Sequence, residues 1–153
     1  MDFSFDRGLQ SENQVAEALP LVQATWRNVE LTSWQRYIQS FAGEEATKAG
    51  VMAMRDSSGR LCGLFAYNIR RTLQRGLVLD IPLFTAVDLA NSLRVVGALL
   101  AAAEKQAFAL NCAALEIRLS PDQSQLRDRL RGLGLSVDAS LLGKPVPRES
   151  ESG

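Results

Sequence analysis

At 153 residues, with 46% apolar and 22% charged content, the chain has the makeup of an ordinary globular protein, long enough to bury roughly 70% of its unfolded surface without disulfides or structural metal. Lys+Arg and Asp+Glu are both 17, a balance that does not favour nucleic acid as the partner. Histidine is absent, and Cys62 and Cys112 stand at no metal-ligand spacing, which excludes a Cys/His zinc site, a Ser-His-Asp triad and a histidine general base.

The opening MDFSFDRGLQ has no basic region followed by an apolar run, so it does not read as a signal peptide. The most apolar stretch, Val95 to Ala103, is too short to span a bilayer. A cytoplasmic protein with reduced cysteines and no membrane partner is expected. Residues 1–146 are expected to form one domain, followed by a polar tail over 147–153.

Phe3 and Phe5 alternate with polar residues, predicting a short strand with one buried face. Ser11 and Gln14 have capping-box spacing ahead of Val15, Ala18, Leu19 and Val22 at helical intervals. Pro20 then either kinks this helix or starts a second one ending near Trp26. Ser33 is the expected cap of a helix carrying Trp34, Tyr37, Ile38 and Phe41, and Gly43 to Gly50 reads as loop. From Val51 the period becomes that of strands: VMAMRD, a turn at Ser57 to Arg60, and LCGLFAYNIRR. Gly59 suits a positive φ in that turn, and Gly63 marks a bulge or a close backbone approach. A second hairpin through Thr72 to Gly76 carries Arg70, Arg71 and Arg75, expected to be a solvated tip that protects the sheet edge.

The strand from Leu77 holds Asp80 and is predicted to lose its pairing at Pro82, which has no N–H for a ladder. After a polar break at Asp88 to Ser92, the apolar positions Leu93, Val96, Leu100, Ala103, Ala107 and Leu110 alternate in steps of three and four. This long helix should stop at Asn111, and Ala114 to Leu119 is a further strand. Two apolar runs joined by one amphipathic helix make a crossover unit, so the flanking strands are parallel. Ser120-Pro121-Asp122 is expected to open a last helix with Leu126, Leu130 and Leu133, closed by Gly132 and Gly134. One or two strands then follow within Leu135 to Val137 and Leu141 to Val146.

The element order resembles that of the GNAT N-acetyltransferase superfamily, and so do DSSGRLCGLFAY, LLAAAEKQAFALNCAALEIRL and LRDRLRGLGLSVD. The resemblance implies an α/β (α+β) fold: a mixed, mostly antiparallel sheet with one splayed parallel strand pair and helices on both faces. It also implies an acyl-CoA cleft between the splayed strands, with the backbone of Thr85 to Val87 at the thioester and Asn91, Ser92, Leu93 and Arg94 at the pyrophosphate. Two departures are visible. The stretch Ala90 to Val96 lacks the family's glycines, and Leu130 stands where many members place the tyrosine that protonates the leaving thiolate. Without histidine the base must be a carboxylate, and Asp80 is the candidate beside a bland reading as the polar side of a half-covered strand. Glu116 is expected to be exposed or paired with Arg118. The cysteines have no neighbouring base to activate them.

Two functions follow from the resemblance. One is an N-acyltransferase moving an acetyl or acyl group from acetyl-CoA or another acyl-CoA to a small-molecule or protein amine, without metal. The other is a non-catalytic GNAT-like module that binds a different ligand or a protein. The broad apolar face of the long helix fits a homodimer and ordinary burial equally well.

Overall fold

The computed structural model describes residues 3–9, 11–41, 48–87, 92–137 and 142–147. Within them the chain runs β1 (Ser4–Arg7), α1 (Glu12–Gln23), α2 (Leu31–Gln39), β2 (Ala49–Arg55), β3 (Leu61–Thr72), β4 (Gly76–Ala86), α3 (Ser92–Ala109), β5 (Ala114–Ile117) and α4 (Ser124–Gly132). The strands form one sheet in sequence order, antiparallel from β1 to β4 and parallel between β4 and β5. Side chains alternate across a strand, so β2, β3 and β4 each feed two cores. Phe65 and Tyr67 of β3 pack with Val96 and Leu99 of α3 and Leu130 of α4. Leu64 and Ala66 face the other way, with Val15 and Val22 of α1 and Trp34 of α2.

Local chemistry explains most element boundaries. Ser11 Oγ accepts from the Gln14 N–H at 3.1 Å while Gln14 Oε1 accepts from the Ser11 N–H at 3.3 Å, a closed capping box. α1 runs on through Pro20 to Gln23, so the proline neither ends it nor starts another helix. Contrary to expectation, α2 begins at Leu31 behind Glu30, and Ser33 lies inside its first turn rather than capping it. The aromatic density of α2 is packing: Trp34 and Tyr37 stack at 5.9 Å, and Trp34 Nε1 donates to the Val15 carbonyl at 2.8 Å. β2 starts at Ala49, inside the stretch expected to be loop. Phe3, just before β1, packs against the sheet core, but Phe5 within it is 39% exposed.

Both expected irregularities of the sheet occur. Met54 pairs with Gly63 and Arg55 with Leu61, leaving Cys62 as the extra residue of a bulge. Gly63 is also a point of close approach, since a Cβ there would lie 3.2 Å from Leu99 Cδ2 and 3.4 Å from the Thr85 carbonyl oxygen. On β4, Asp80 pairs with Asn68 and Leu83 with Ala66, so Ile81 and Pro82 together oppose Tyr67. The extra residue falls where proline would have left a gap in the ladder.

Beyond the sheet, Asn111 takes φ 60° and the Cys112 N–H returns to the Ala107 carbonyl at 2.9 Å, closing α3. α4 begins later than expected, because Ser120 to Gln123 form a turn of their own in which Ser120 Oγ accepts from the Asp122 N–H at 3.1 Å. Leu135 to Val137 and residues 142–147 are not strands, although one or two were expected within Leu135 to Val137 and Leu141 to Val146. Their apolar residues Val137, Leu142 and Val146 are exposed and have no buried face to pair across. Leu141 lies outside the described residues.

Candidate functional site

The parallel ladder of β4 and β5 ends at Ile81 and Ile117, with one further link from the Arg118 N–H to the Ile81 carbonyl at 2.9 Å. Among the described residues β4 continues alone on that side to Ala86. The bulge at Pro82 thus ends the parallel pairing and opens a cleft of about 540 Å³ between the end of β4, the C-terminal half of α1, Val96 of α3 and the first turn of α4. The Val87 N–H donates to the Cys62 carbonyl on β3 at 2.9 Å. By the alternation of an antiparallel ladder, Thr85 is turned toward β3 as well, whereas Phe84 and Ala86 turn their backbone groups into the cleft. Sequence reasoning named Thr85 and Val87. Both line the cleft, but the strand edge facing it belongs to Phe84 and Ala86, a parity that only the register reveals.

Gln123, the residue before α4, bridges this cleft. Its Nε2 donates to the Phe84 carbonyl at 2.9 Å and to Thr25 Oγ1 at 3.3 Å, and its Oε1 accepts from the Ser120 N–H at 2.9 Å. Thr85 Oγ1 donates to the Leu21 carbonyl at 3.3 Å, which leaves Thr25 as the donor in the 3.0 Å contact between the two hydroxyls. A continuous hydrogen-bond chain therefore ties α4 to β4 through the end of α1.

Asp80 sits on the α1/α2 face, 4% exposed. Its Oδ1 accepts from Arg118 Nε at 3.2 Å, and its Oδ2 accepts from Arg118 Nη2 and Asn68 Nδ2, each at 3.4 Å. Tyr37 of α2 is close enough that the Asp80 charge adds to burial in raising its pKa, which keeps the phenol protonated. Arg70 and Arg75 are not a free tip: Arg70 Nη2 donates to Glu116 Oε1 at 2.8 Å and lies 3.9 Å from Asp80, while Arg75 Nη1 lies 3.7 Å from Glu116 Oε2. Glu116 is therefore paired, but not with Arg118 as expected. Strand pairing decides this, since Asp80 and Glu116 are partners in register and the arginines reach across them.

The expected pyrophosphate residues are placed at the α3 entrance. Leu93 and Arg94 are exposed there, Val95 is buried in the core under α3, and neither Leu93 nor Val95 lines the cleft. Asn91 lies outside the described residues, and Ser92 is described only as the first residue of α3. Arg129 of α4 lines the cleft, a cation that the sequence did not single out. Leu130 is 3% exposed and packed in the core. Burial raises the pKa of both Cys62 and Cys112, the opposite of what an activated nucleophile requires. Among the described residues no group of three His, Cys, Asp or Glu is placed to hold a metal ion, and no helix is long and apolar enough to cross a membrane.

No family model matches the chain, and no curated protein matches its sequence. Solved structures do. Aminoglycoside N-acetyltransferase AAC(6')-Iy, in complex with the bisubstrate analogue CoA-S-monomethyl-acetylneamine, is similar over 97% of this chain and 100% of that one, with TM-score 0.74 and 11% identity. Aminoglycoside 6'-N-acetyltransferase AAC(6')-Ih from Acinetobacter baumannii is similar over 95% and 100%, with TM-score 0.71 and 15% identity. Glucosamine-6-phosphate N-acetyltransferase from Arabidopsis thaliana is similar over 96% and 100%, with TM-score 0.66 and 10% identity. Likeness at this level of identity concerns architecture, and it agrees with the splayed β4 and β5: the chain has the fold of the GNAT N-acetyltransferase superfamily.

Proposed function

We propose that the protein is an N-acyltransferase that moves an acetyl or related acyl group from acyl-CoA to an amine. The observation that carries this reading is the bulge at Ile81 and Pro82, after which β4 turns the backbone of Phe84 and Ala86 into an open cleft. Such an edge fits an extended ligand with amides of its own, as a pantetheine arm has. Arg129 on the cleft wall and Arg94 at the α3 entrance supply positive charge for phosphates, and Ser92 to Arg94 add the free N–H groups of a helix start. The amine nitrogen attacks the thioester carbonyl carbon, the C–S bond breaks, and the amine proton leaves to water, since Asp80 does not line the cleft and has both oxygens held by Arg118 and Asn68. With Leu130 buried where a tyrosine would protonate the thiolate, solvent returns that proton. The acyl donor supplies the activated carbonyl, and the chain supplies alignment.

The buried Leu130 also favours a second reading, a module that binds through this cleft without catalysis. Thermal unfolding with acetyl-CoA, paired with release of free CoA thiol in the presence of amines, separates the two. At about one hundred times the dissociation constant, acetyl-CoA should stabilise by roughly 2.7 kcal/mol, a rise on the order of 5–10 °C for a chain of this size. A rise with thiol release supports the transferase. A rise without release from any amine supports a module that holds acyl-CoA without transfer, and no rise at millimolar acetyl-CoA abandons the transferase and leaves a module for a different ligand or a protein.

A further inference from the structure

Around the vertex where β4 and β5 part, Asp80 lies deepest. Its side chain is 6% exposed, against 32% for Glu116 and Arg75 and 44% and 41% for Arg70 and Arg118. Both Asp80 oxygens are taken by Arg118 and Asn68, and Glu116 is taken by Arg70 and Arg75. Only Nε and Nη2 of Arg118 and only Nη2 of Arg70 are engaged, so Arg118 Nη1 and Arg70 Nε and Nη1 meet no acceptor among the described residues. Three arginines against two carboxylates leave one net positive charge. An incoming molecule thus meets anchored guanidinium donors rather than carboxylate acceptors. Surface ion pairs of this kind add little stability, and burying Asp80 has its own desolvation cost. What the arrangement does provide is two planar cations held in place by carboxylates behind them, the geometry suited to a ligand oxyanion. Tyr37, protonated and close to Asp80, adds a donor on the same side.

We infer that Arg118 and Arg70 form the acceptor-side subsite and select amines that carry an oxyanion, a carboxylate or a phosphate, over amines that carry further positive charge. This rests on the transferase reading above. Arg118 follows β5 directly and its backbone makes the last link to β4, so its side chain stands at the mouth of the splay on the α1/α2 face. An amine whose oxyanion is held there has its nitrogen directed toward the cleft.

The test uses four short amines of similar reach with acetyl-CoA: β-alanine, O-phosphoethanolamine, n-propylamine and 1,3-diaminopropane. kcat/KM is read from free CoA thiol. The oxyanion-bearing amines should exceed n-propylamine roughly ten-fold or more, the difference that a charge-assisted contact makes, and 1,3-diaminopropane should be slowest. The ratio of β-alanine to O-phosphoethanolamine separates carboxylate from phosphate recognition. Arg118→Lys keeps a cation against Asp80 but loses the planar fork, so it should cut the β-alanine to n-propylamine ratio several-fold while the acetyl-CoA thermal shift persists. Arg70→Ala, which leaves Glu116 its contact with Arg75 and Asp80 its bonds with Arg118 and Asn68, should cut the same ratio. Equal rates or a preference for the diamine would each overturn the inference alone. No turnover of any amine, with or without stabilisation by acetyl-CoA, would remove the transferase reading with it.

Discussion

Residue 63 is tight for a methyl group. A Cβ there meets Leu99 Cδ2 at 3.2 Å, so this fully buried side chain would have to shift by a few tenths of an ångström. Overpacking typically costs about 1–3 kcal/mol, against roughly 0.5–1 kcal/mol regained when glycine leaves a strand interior. Gly63→Ala is therefore expected to destabilise by about 1 kcal/mol in denaturant unfolding. The loss should disappear in a Leu99→Ala background, because the two positions share one contact. Glu17 makes a different residue-scale prediction. Hydrogen bonding from Arg55 holds its carboxyl below the ordinary value of 4.5, only partly opposed by burial. A depressed folded pKa contributes stability that is complete above the unfolded value and is lost as pH falls through the folded one. Glu17→Gln should thus flatten the acid limb of the denaturation midpoint below about pH 4.5, leaving the neutral-pH profile parallel to that of the parent. Single residues were legible in the sequence where one chemical property sufficed: glycine at 63, proline at 82, the Ser11 and Gln14 pair. Gln123 and Phe84 were not, because their meeting joins positions 39 apart in the chain and leaves no local pattern. The pairing of Arg118 with Asp80 and of Arg70 with Glu116 likewise depends on strand register rather than on the spacing of charges.

At the scale of elements, α3 and the two hairpins follow from periodicity and turn chemistry, since the tertiary structure asks of them what their local sequence already prefers. α2 departs because its start is set by packing Trp34 under α1, not by the serine available at 33. The C-terminal apolar runs depart because alternation alone does not make a strand without a neighbour. α4 is the element whose position matters most for the cleft, and Gln123 couples the two. Its amide holds the Phe84 carbonyl, one of the groups that an extended amide ligand would use. Entry of such a ligand must exchange one hydrogen bond for another, so the bridge lowers apparent affinity by what it contributes to the ligand-free protein. Gln123→Ala is expected to cost about 1 kcal/mol of stability and to tighten acetyl-CoA binding by up to roughly ten-fold, read by calorimetric titration. Weaker binding in the variant would show that Gln123 belongs to the ligand contact instead of competing with it.

At the scale of the molecule, the two cores lie back to back on one sheet and share its central strands, so neither has a wall of its own. Phe65 and Tyr67 serve one core while Leu64 and Ala66, in the same strand, serve the other. The cleft sits where both meet, lined by Leu21 and Thr25 from the α1 side and Val96 and Leu126 from the α3 and α4 side. Such an arrangement should unfold as one cooperative unit. The chain carries its own reporter for this: both tryptophans lie on the α1/α2 side, and Trp34 is 2% exposed and stacked on Tyr37. Leu99→Ala, made on the opposite face at a fully buried position, should cost about 2–5 kcal/mol. It should lower the melting temperature by roughly 4–20 °C. The decisive comparison is between probes. Tryptophan fluorescence and far-ultraviolet circular dichroism should shift together, although the mutation touches no residue of the α1/α2 core. If dichroism moved and fluorescence did not, the faces would be melting separately. The cleft would then join two units able to move independently, and ligand binding there would stabilise one transition more than the other.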